Sequence, residues 1–291
     1  MQNSKSAKPA KSILGLHHIS SVVTDFERTL RFYMGTLDLN LVGMPLYTGG
    51  RKLMHFYCGD HVENPTSLLT FVVDEAATPG ANGSGQISAV TFSIPTGSMG
   101  HWQRRLERAG SQVFGRAWAF GKEHLCFSDP DGLQLAMVEE SAENLLLQGV
   151  LRNADTDYEI ERISAVEIQV NALDATARFL TDTLGFIRSG REGAVSRFSH
   201  DAMGQFLSLD VLSAPNTRSG FSGSGVPHDL VWRVADESTL RQIAAAVKSS
   251  GLDVTAECQQ DHFKAIYFLD PCGIHFAVAL DAQQPACVET C

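Results

Sequence analysis

Apolar positions along this chain repeat one pattern four times. A short run alternates apolar or β-branched residues with others, and a stretch with apolar residues at helical spacing follows. The first copy is GLHHISSVVTDFERTLRFYMGTL (15–37), and the second is GQISAVTFSI (85–94) followed by SMGHWQRRLERAG (98–110). The third is ISAVEIQV (163–170) with ALDATARFLTDTLGF (172–186), and the fourth is PHDLVWRV (227–234) with ESTLRQIAAAVKSSG (237–251). Period two marks a strand and period 3.6 a helix, so each copy opens as strand then helix. In the first copy, alternation puts His18, Ser20 and Val22 on one strand face, and Phe26, Leu30, Tyr33 and Leu37 share a helix face. Asp25 is placed to cap that helix, because its side chain can accept from the free amides of the first turn.

Three further strands complete each unit. The pattern predicts them at 39–45, 52–58 and 67–73 in the first unit and at 253–257, 264–269 and 274–280 in the fourth. Units two and four share a turn before the last strand, Asp129-Pro130-Asp131-Gly132 and Asp270-Pro271-Cys272-Gly273. Proline presets the first turn residue and glycine supplies the positive φ, so both read as tight hairpins. Gly/Ser/Pro-rich loops at 77–85 and 213–225 separate units.

The predicted fold is therefore α+β. Four βαβββ units form two paired half-barrel sheets with helices outside, since one such unit cannot close a core alone. Residues 1–12 read as a flexible tail, 13–141 as units one and two, 142–161 as a linker, 162–282 as units three and four, and 283–291 as a C-terminal tail. Side chains on the inner strand faces line each cup, where a small molecule binds.

Composition narrows the partners. Hydrophobic residues make up 44% of the chain and charged residues 19%, which suits a globular protein. The net charge of −10, with no basic stripe, points away from nucleic acid. No apolar run reaches the roughly 18 residues of a membrane helix. The N-terminal MQNSKSAKPAKS lacks the apolar stretch of a secretory signal. Cys58, Cys126, Cys258, Cys272, Cys287 and Cys291 contain no C-x-x-C pair, so they read as reduced thiols of a cytoplasmic protein. A small molecule is the expected partner, and homo-oligomerisation is left open.

GLHHIS at the start, MHFYCGD (54–60) and AIYFLDPCGIHF (265–276), together with the four-unit length, resemble the vicinal oxygen chelate superfamily. That superfamily includes glyoxalase I, bleomycin-resistance proteins and extradiol ring-cleaving dioxygenases. The pattern is most similar to the hydroquinone-type dioxygenases. The resemblance covers about residues 13–282 and implies Fe(II) or Mn(II) held by two histidines and a glutamate, with open positions for a diol and O2. It takes the first histidine from the opening strand of unit one, the second from the opening strand of unit four, and the glutamate from the last strand of unit four.

Residue by residue, the first position falls on His18. Where the family has HHxAFRV this chain has PHDLVWRV, which places the second ligand on Asp229. Where the family has GGxxFE this chain has CGIHFA, which places Ala277 at the glutamate position. A methyl cannot bind a metal. His275, two residues earlier on the same face, can replace it, so the expected metal set is His18, Asp229 and His275; the other reading of these histidines is a metal-free polar pocket. The resemblance also sets Tyr267 beside the substrate as a proton donor, and His17 and His228 beside the ligands, although alternation alone would turn both away. Ser20, His262 and Gln260 are expected substrate contacts, with Gln260 standing where relatives carry arginine.

In the other cup the ligand positions are Ala89, Ala136 and Ala165. Glu167 there reads either as a lone acid or as neutralised by an arginine such as Arg197. His55 reads as structural, and His101, His124 and His200 as surface or rim residues. Three functions follow from this pattern: a ring-cleaving dioxygenase with an altered metal set and a small aromatic or vicinal-oxygen substrate, a metal-independent isomerase, cyclase or hydrolase, or a non-catalytic binder of the bleomycin-resistance type.

Overall fold

The computed structural model describes residues 13–41, 46–48, 51–57, 68–141, 158–200, 207–259 and 263–281. Unit one comprises β1 (Ile13–Val23), α1 (Phe26–Leu30), β2 (Asn40–Leu41), β3 (Leu46–Thr48), β4 (Arg51–Tyr57) and β5 (Leu68–Val73). Unit two comprises β6 (Gln86–Pro95), α2 (Met99–Arg108), β7 (Val113–Ala119), β8 (Lys122–Ser128) and β9 (Gln134–Glu140). Unit three comprises β10 (Arg162–Val170), α3 (Leu173–Arg178), β11 (Ile187–Glu192), β12 (Val195–Ser199) and β13 (Ser208–Ser213). Unit four comprises β14 (Pro227–Val234), α4 (Glu237–Ser249), β15 (Val254–Gln259), β16 (Phe263–Leu269) and β17 (His275–Asp281). Most of the linker segment and both tails lie outside the described residues.

The strands form two sheets. One runs β15-β16-β17-β14-β1-β5-β4-β2 with β3 on β4, and the other runs β11-β12-β13-β10-β6-β9-β8-β7. The central pairs are β1 with β14 and β10 with β6, both antiparallel. Unit one therefore shares a half-barrel with unit four, and unit two with unit three. Among the described residues no helix is long and apolar enough to cross a membrane.

Each opening strand turns one face toward the helices and the other into its cup. Leu16, Ile19, Leu230, Trp232, Val234 and Phe276 join the large apolar core. Their alternate neighbours Val231, Ala277 and Ala279, with Ala265 on β16, form a small separate cluster, against which Phe263 and Tyr267 pack. This second cluster is the apolar floor of the first cup.

The first helix departs from the predicted single α-helix. Asp25 caps it, its carboxylate accepting from the Arg28 amide at 2.9 Å. The α-helical turns end at Leu30, and 31–36 continue as a wider π-helical segment that buries both Phe32 and Tyr33. Unit three makes the same change, from α3 into a π segment over Phe179–Thr183.

The two Asp-Pro turns do more than reverse the chain. Asp129 Oδ1 accepts from the amides of Asp131 (2.9 Å) and Leu133 (2.8 Å), and its Oδ2 accepts from the Tyr33 hydroxyl at 3.0 Å. Asp131 accepts from the Thr24 hydroxyl at 2.6 Å and from Arg28 at 2.9 Å. Unit two's turn is thus fastened to unit one's helix. Unit three is fastened to unit four in the same way, the Thr176 hydroxyl donating to Asp270 at 2.6 Å.

Burial pushes the Asp129 carboxyl up to about 6, against the lowering effect of its hydrogen bonds. A raised folded-state value means that the native protein binds the proton more tightly than the unfolded chain. This stabilisation is complete below the ordinary carboxyl range near 3.8 and is lost as pH rises through about 6. Unfolding free energy should therefore fall across that window, by up to about 3 kcal/mol from this one group. Asp129→Asn should flatten that part of the profile in denaturant titrations; an unchanged slope would refute the assignment.

Candidate active site

The strand pairing explains why adjacent residues face the same cup. Between Leu16–Trp232 and His18–Val231 the register shifts, so His17 has no partner of its own. Between Ser20–Asp229 and Ser21–Pro227 it shifts again, and His228 is the extra residue on β14. An extra residue in one strand breaks strict alternation locally. His17 and His18 then both enter the cup, as do His228 and Asp229. The second half-barrel has the same bulges at Ser88 and Ser164.

Two polar groups stand on the floor of the first cup. In the outer one, Asp229 lies centrally. The Ser20 hydroxyl donates to its Oδ2 at 2.9 Å. His275 Nδ1 lies 3.9 Å and His228 Nε2 4.0 Å from its Oδ1. The two rings are tilted with centroids 4.8 Å apart. Burial and then His228 lower the His275 pKa, with Asp229 opposing them, so this ring favours the neutral form that can bind a metal. His55 on β4 donates to or accepts from Thr70 at 2.9 Å, and Thr70 stands directly beside Ser20 in the sheet.

The inner group is built on the bulge of β1. His17 Nδ1 lies 2.7 Å from His18 Nδ1, and His17 Nε2 lies 3.0 Å from Asp281 Oδ1. Arg233 forms an ion pair with the other oxygen of Asp281 at 2.8 Å. Both imidazoles lie against the Phe263 ring. Burial, then His17, then His55 and Arg233, lower the His18 pKa well below its usual value, so His18 is neutral at pH 7.

Three donors, from His228, Asp229 and His275, lie within 4.8 Å of one another, the single such set among the described residues. One ion with bonds of about 2.0–2.2 Å spans donor pairs up to roughly 4.2 Å, so small side-chain shifts suffice to close this set around a divalent ion. Two imidazoles and one carboxylate on one face suit Fe(II) or Mn(II). The family's own triad does not fit. Ala277 is fully buried among Val231, Ala265 and Ala279 and offers a methyl group. Of the expected set, Asp229 and His275 are brought together, whereas the third donor in reach is His228, and His18 is engaged with His17.

Tyr267 pairs with Ala277 across the sheet and faces this floor. Burial, then Asp229 and Cys258, push its phenol up to about 12, so it is a hydrogen-bond donor at any working pH. His262 and Gln260 lie outside the described residues. Asp281 and Arg233 were missed by sequence reasoning, although alternation through HFAVALD and DLVWRV places both on the cup face.

The second cup has a different chemistry. Arg197 binds Asp210 through two bonds of 2.7 Å, which leaves Glu167 with the Ser88 hydroxyl at 2.7 Å. Burial raises the Glu167 pKa. Arg197 also lies 3.7 Å over the Phe120 ring, at the tip of the β7–β8 hairpin. His200, expected at the surface or rim, is instead buried against Phe186, because it directly follows β12 and continues the buried face of Ser196 and Phe198.

Comparison with known proteins agrees with this architecture. The model of the Glyoxalase/Bleomycin resistance protein/Dioxygenase superfamily matches residues 15–137 and 162–278. The chain belongs to this superfamily. It is 30% identical over 275 residues to "Putative ring-cleaving dioxygenase MhqO" of Bacillus subtilis (strain 168), covering 94% of this chain and 86% of that protein. It is 26% identical over 277 residues to the chlorohydroquinone/hydroquinone 1,2-dioxygenase of Sphingobium indicum, covering 91% and 85%. Among solved structures, a "putative dioxygenase" from Bacillus subtilis superposes with a TM-score of 0.80 at 28% identity, over 94% of this chain and 86% of that one. Glyoxalase I from Zea mays shares the fold, with a TM-score of 0.69 at 14% identity over 91% and 92%.

Ring-labelled tyrosine NMR can check the electrostatics of the cup. The resonance that disappears in Tyr267→Phe should keep its phenol shift up to about pH 11, beyond the ordinary tyrosine range near 10. Ionisation near 10 would show that Tyr267 is neither buried nor close to Asp229.

Proposed function

We propose that the chain is a ring-cleaving dioxygenase-type enzyme that acts on a small dihydroxylated aromatic ring in the cup of units one and four. A single Fe(II) or Mn(II) is held by Asp229, His275 and His228. The observation that carries this reading is the convergence of these three donors around the Asp229 carboxylate, within 4.8 Å of one another. The ring-cleaving activity named for the relatives supports the reaction class, and the hydroquinone named for one of them supports the substrate class.

When bound, the metal supplies a Lewis acid for substrate oxygens and a redox partner for O2. The protein's residues do the rest. Ser20 fixes the rotamer of Asp229. Val231, Ala265, Ala277 and Ala279 make a low apolar floor on which a flat ring can lie, and Phe263 closes one side. Tyr267 donates a hydrogen bond to a ring oxygen. His18, neutral through burial, accepts one from a substrate hydroxyl and is the base placed to take its proton. We assign it this role in place of the ligand role that the resemblance implies. His17 and His228 stay at the site, His17 behind His18 and His228 on the metal. His262 and Gln260 are assigned to the substrate from the family resemblance alone. The free thiols of Cys126, Cys258 and Cys272 and the net charge of −10 fit a cytoplasmic enzyme with a small-molecule substrate.

A second reading draws on Ala277. With a methyl at the family's carboxylate position and alanines around it, the same cup suits metal-independent acid–base chemistry or simple binding.

Metal analysis of tag-free protein, reconstituted anaerobically, separates these readings. We expect about one ion per chain and O2 consumption with hydroquinones. His275→Ala should weaken Mn(II) binding by roughly tenfold or more. His18→Ala should bind Mn(II) within about threefold of wild type yet lose turnover. A chain that binds no first-row metal, or that turns over without O2 in chelator, would overturn the dioxygenase reading. Loss of metal in His18→Ala would return His18 to the ligand set.

A further inference from the structure

We infer that Asp281 is a specificity-determining residue: it occupies the guanidinium of Arg233 and so turns the first cup away from rings that carry a carboxylate and toward uncharged diols. The strands set this ion pair. Arg233, near the end of β14, stands level with Gly15 on β1 and with Ala279 on β17. Asp281 closes β17 two residues further on, opposite Phe263. Both of its oxygens are held, one by Arg233 at 2.8 Å and the other by His17 Nε2 at 3.0 Å. The carboxylate therefore has a fixed place beside the inner imidazoles.

Without Asp281, Arg233 would be the natural seat for an acid. Its side chain is 12% exposed, whereas that of Asp281 is 51% exposed, so the carboxylate stands on the solvent side of the guanidinium. Both neighbours of Arg233 in the sheet are small. At Gly15 even an added Cβ would touch nothing within 4 Å, so the sheet leaves open space next to Arg233. The charge of Arg233 reaches into the cup, where it helps to lower the His18 pKa. A largely buried guanidinium, with its planar fork of donors, binds a carboxylate strongly when the place is vacant. In this chain Asp281 fills it.

The arrangement has a consequence for substrate charge. A carboxylated ring entering this cup would compete with Asp281 for one guanidinium, and would add a third carboxylate to those of Asp281 and Asp229. An uncharged diol meets no such opposition. Removing Asp281 takes from a mostly buried cation its carboxylate partner, a loss that the carboxylate of a ligand can make good. The cup would then accept the acids that it now rejects. The charge selectivity stands on the ion pair, whereas its meaning for a diol substrate rests on the function proposed above.

Binding of 4-hydroxybenzoate and of its uncharged analogue 4-hydroxybenzyl alcohol tests this inference. The full-length chain is titrated free of metal, so that a carboxylate gains nothing by coordinating an ion, and the ring-labelled Tyr267 resonance reports binding in the first cup. Wild-type protein should bind the alcohol roughly tenfold or more tightly than the acid, the scale of one hydrogen bond to a charged group. Asp281→Ala should tighten the acid by roughly tenfold and leave the alcohol within about threefold of wild type. Asp281→Asn, which keeps the shape and removes the charge, should move the preference the same way and serves if the alanine variant does not fold. Adding Arg233→Met to Asp281→Ala should abolish the gain. Equal binding of both compounds by wild type, binding of neither, a preference unchanged in both Asp281 variants, or a gain that survives Arg233→Met would each overturn the inference. If the selectivity is found but Mn(II)-loaded protein consumes no O2 with hydroquinone, the proposed reaction fails and the role of Asp281 survives.

Discussion

An extra residue at the ligand position of each opening strand governs what this protein can present to a ligand. Strict alternation would give each strand one cup-facing side chain at the ligand position. The bulges at His17, Ser88, Ser164 and His228 give two. They also leave Leu16 and Ile19 on β1, and Leu230 and Trp232 on β14, in the core, so the fold keeps its packing while the cup gains chemistry. In the first cup these doubled positions are His17-His18 and His228-Asp229. In the second they are Ser88-Ala89 and Ser164-Ala165.

The two cups thus share a frame and differ in content. The second cup neutralises its charges internally. Asp210 binds Arg197 bidentately, Glu167 is bonded to a serine, and an aromatic ring covers the guanidinium. The first cup keeps polar groups on an apolar floor, in two clusters with distinct partners. Asp229 is oriented by Ser20 and flanked by two imidazoles. His18 is backed by His17 and Asp281. Such separation suits the proposed function, in which one cluster binds a cation and the other manages a proton.

Much of the fold was legible in the sequence because it rests on period and repetition. The βαβββ units and the Asp-Pro turns follow from apolar spacing and turn chemistry, whereas the pairing of unit one with unit four was implied by the family resemblance alone. The site was less legible, for a definite reason. Alternation assigns faces only where the ladder is regular, and the chemistry sits where it is not. His228 could not be placed beside Asp229 by counting residues, since a bulge is a property of the pair of strands. The continuation of α1 as a wider helix was hidden for the same reason, because Phe32 and Tyr33 are adjacent yet both buried. Arg233 and Asp281 obey alternation and could have been found by following β14 and β17 to their ends.

In the proposed site a metal binds at Asp229, the family's second ligand position, with His275 and His228 as its other donors in place of Ala277 and His18. Anomalous diffraction from crystals grown with Mn(II) tests this most directly. One strong peak is expected within bonding distance of the Asp229 carboxylate and of the His275 and His228 rings, with His18 unliganded. A peak on His18, or none in this cup at saturating Mn(II), would contradict it.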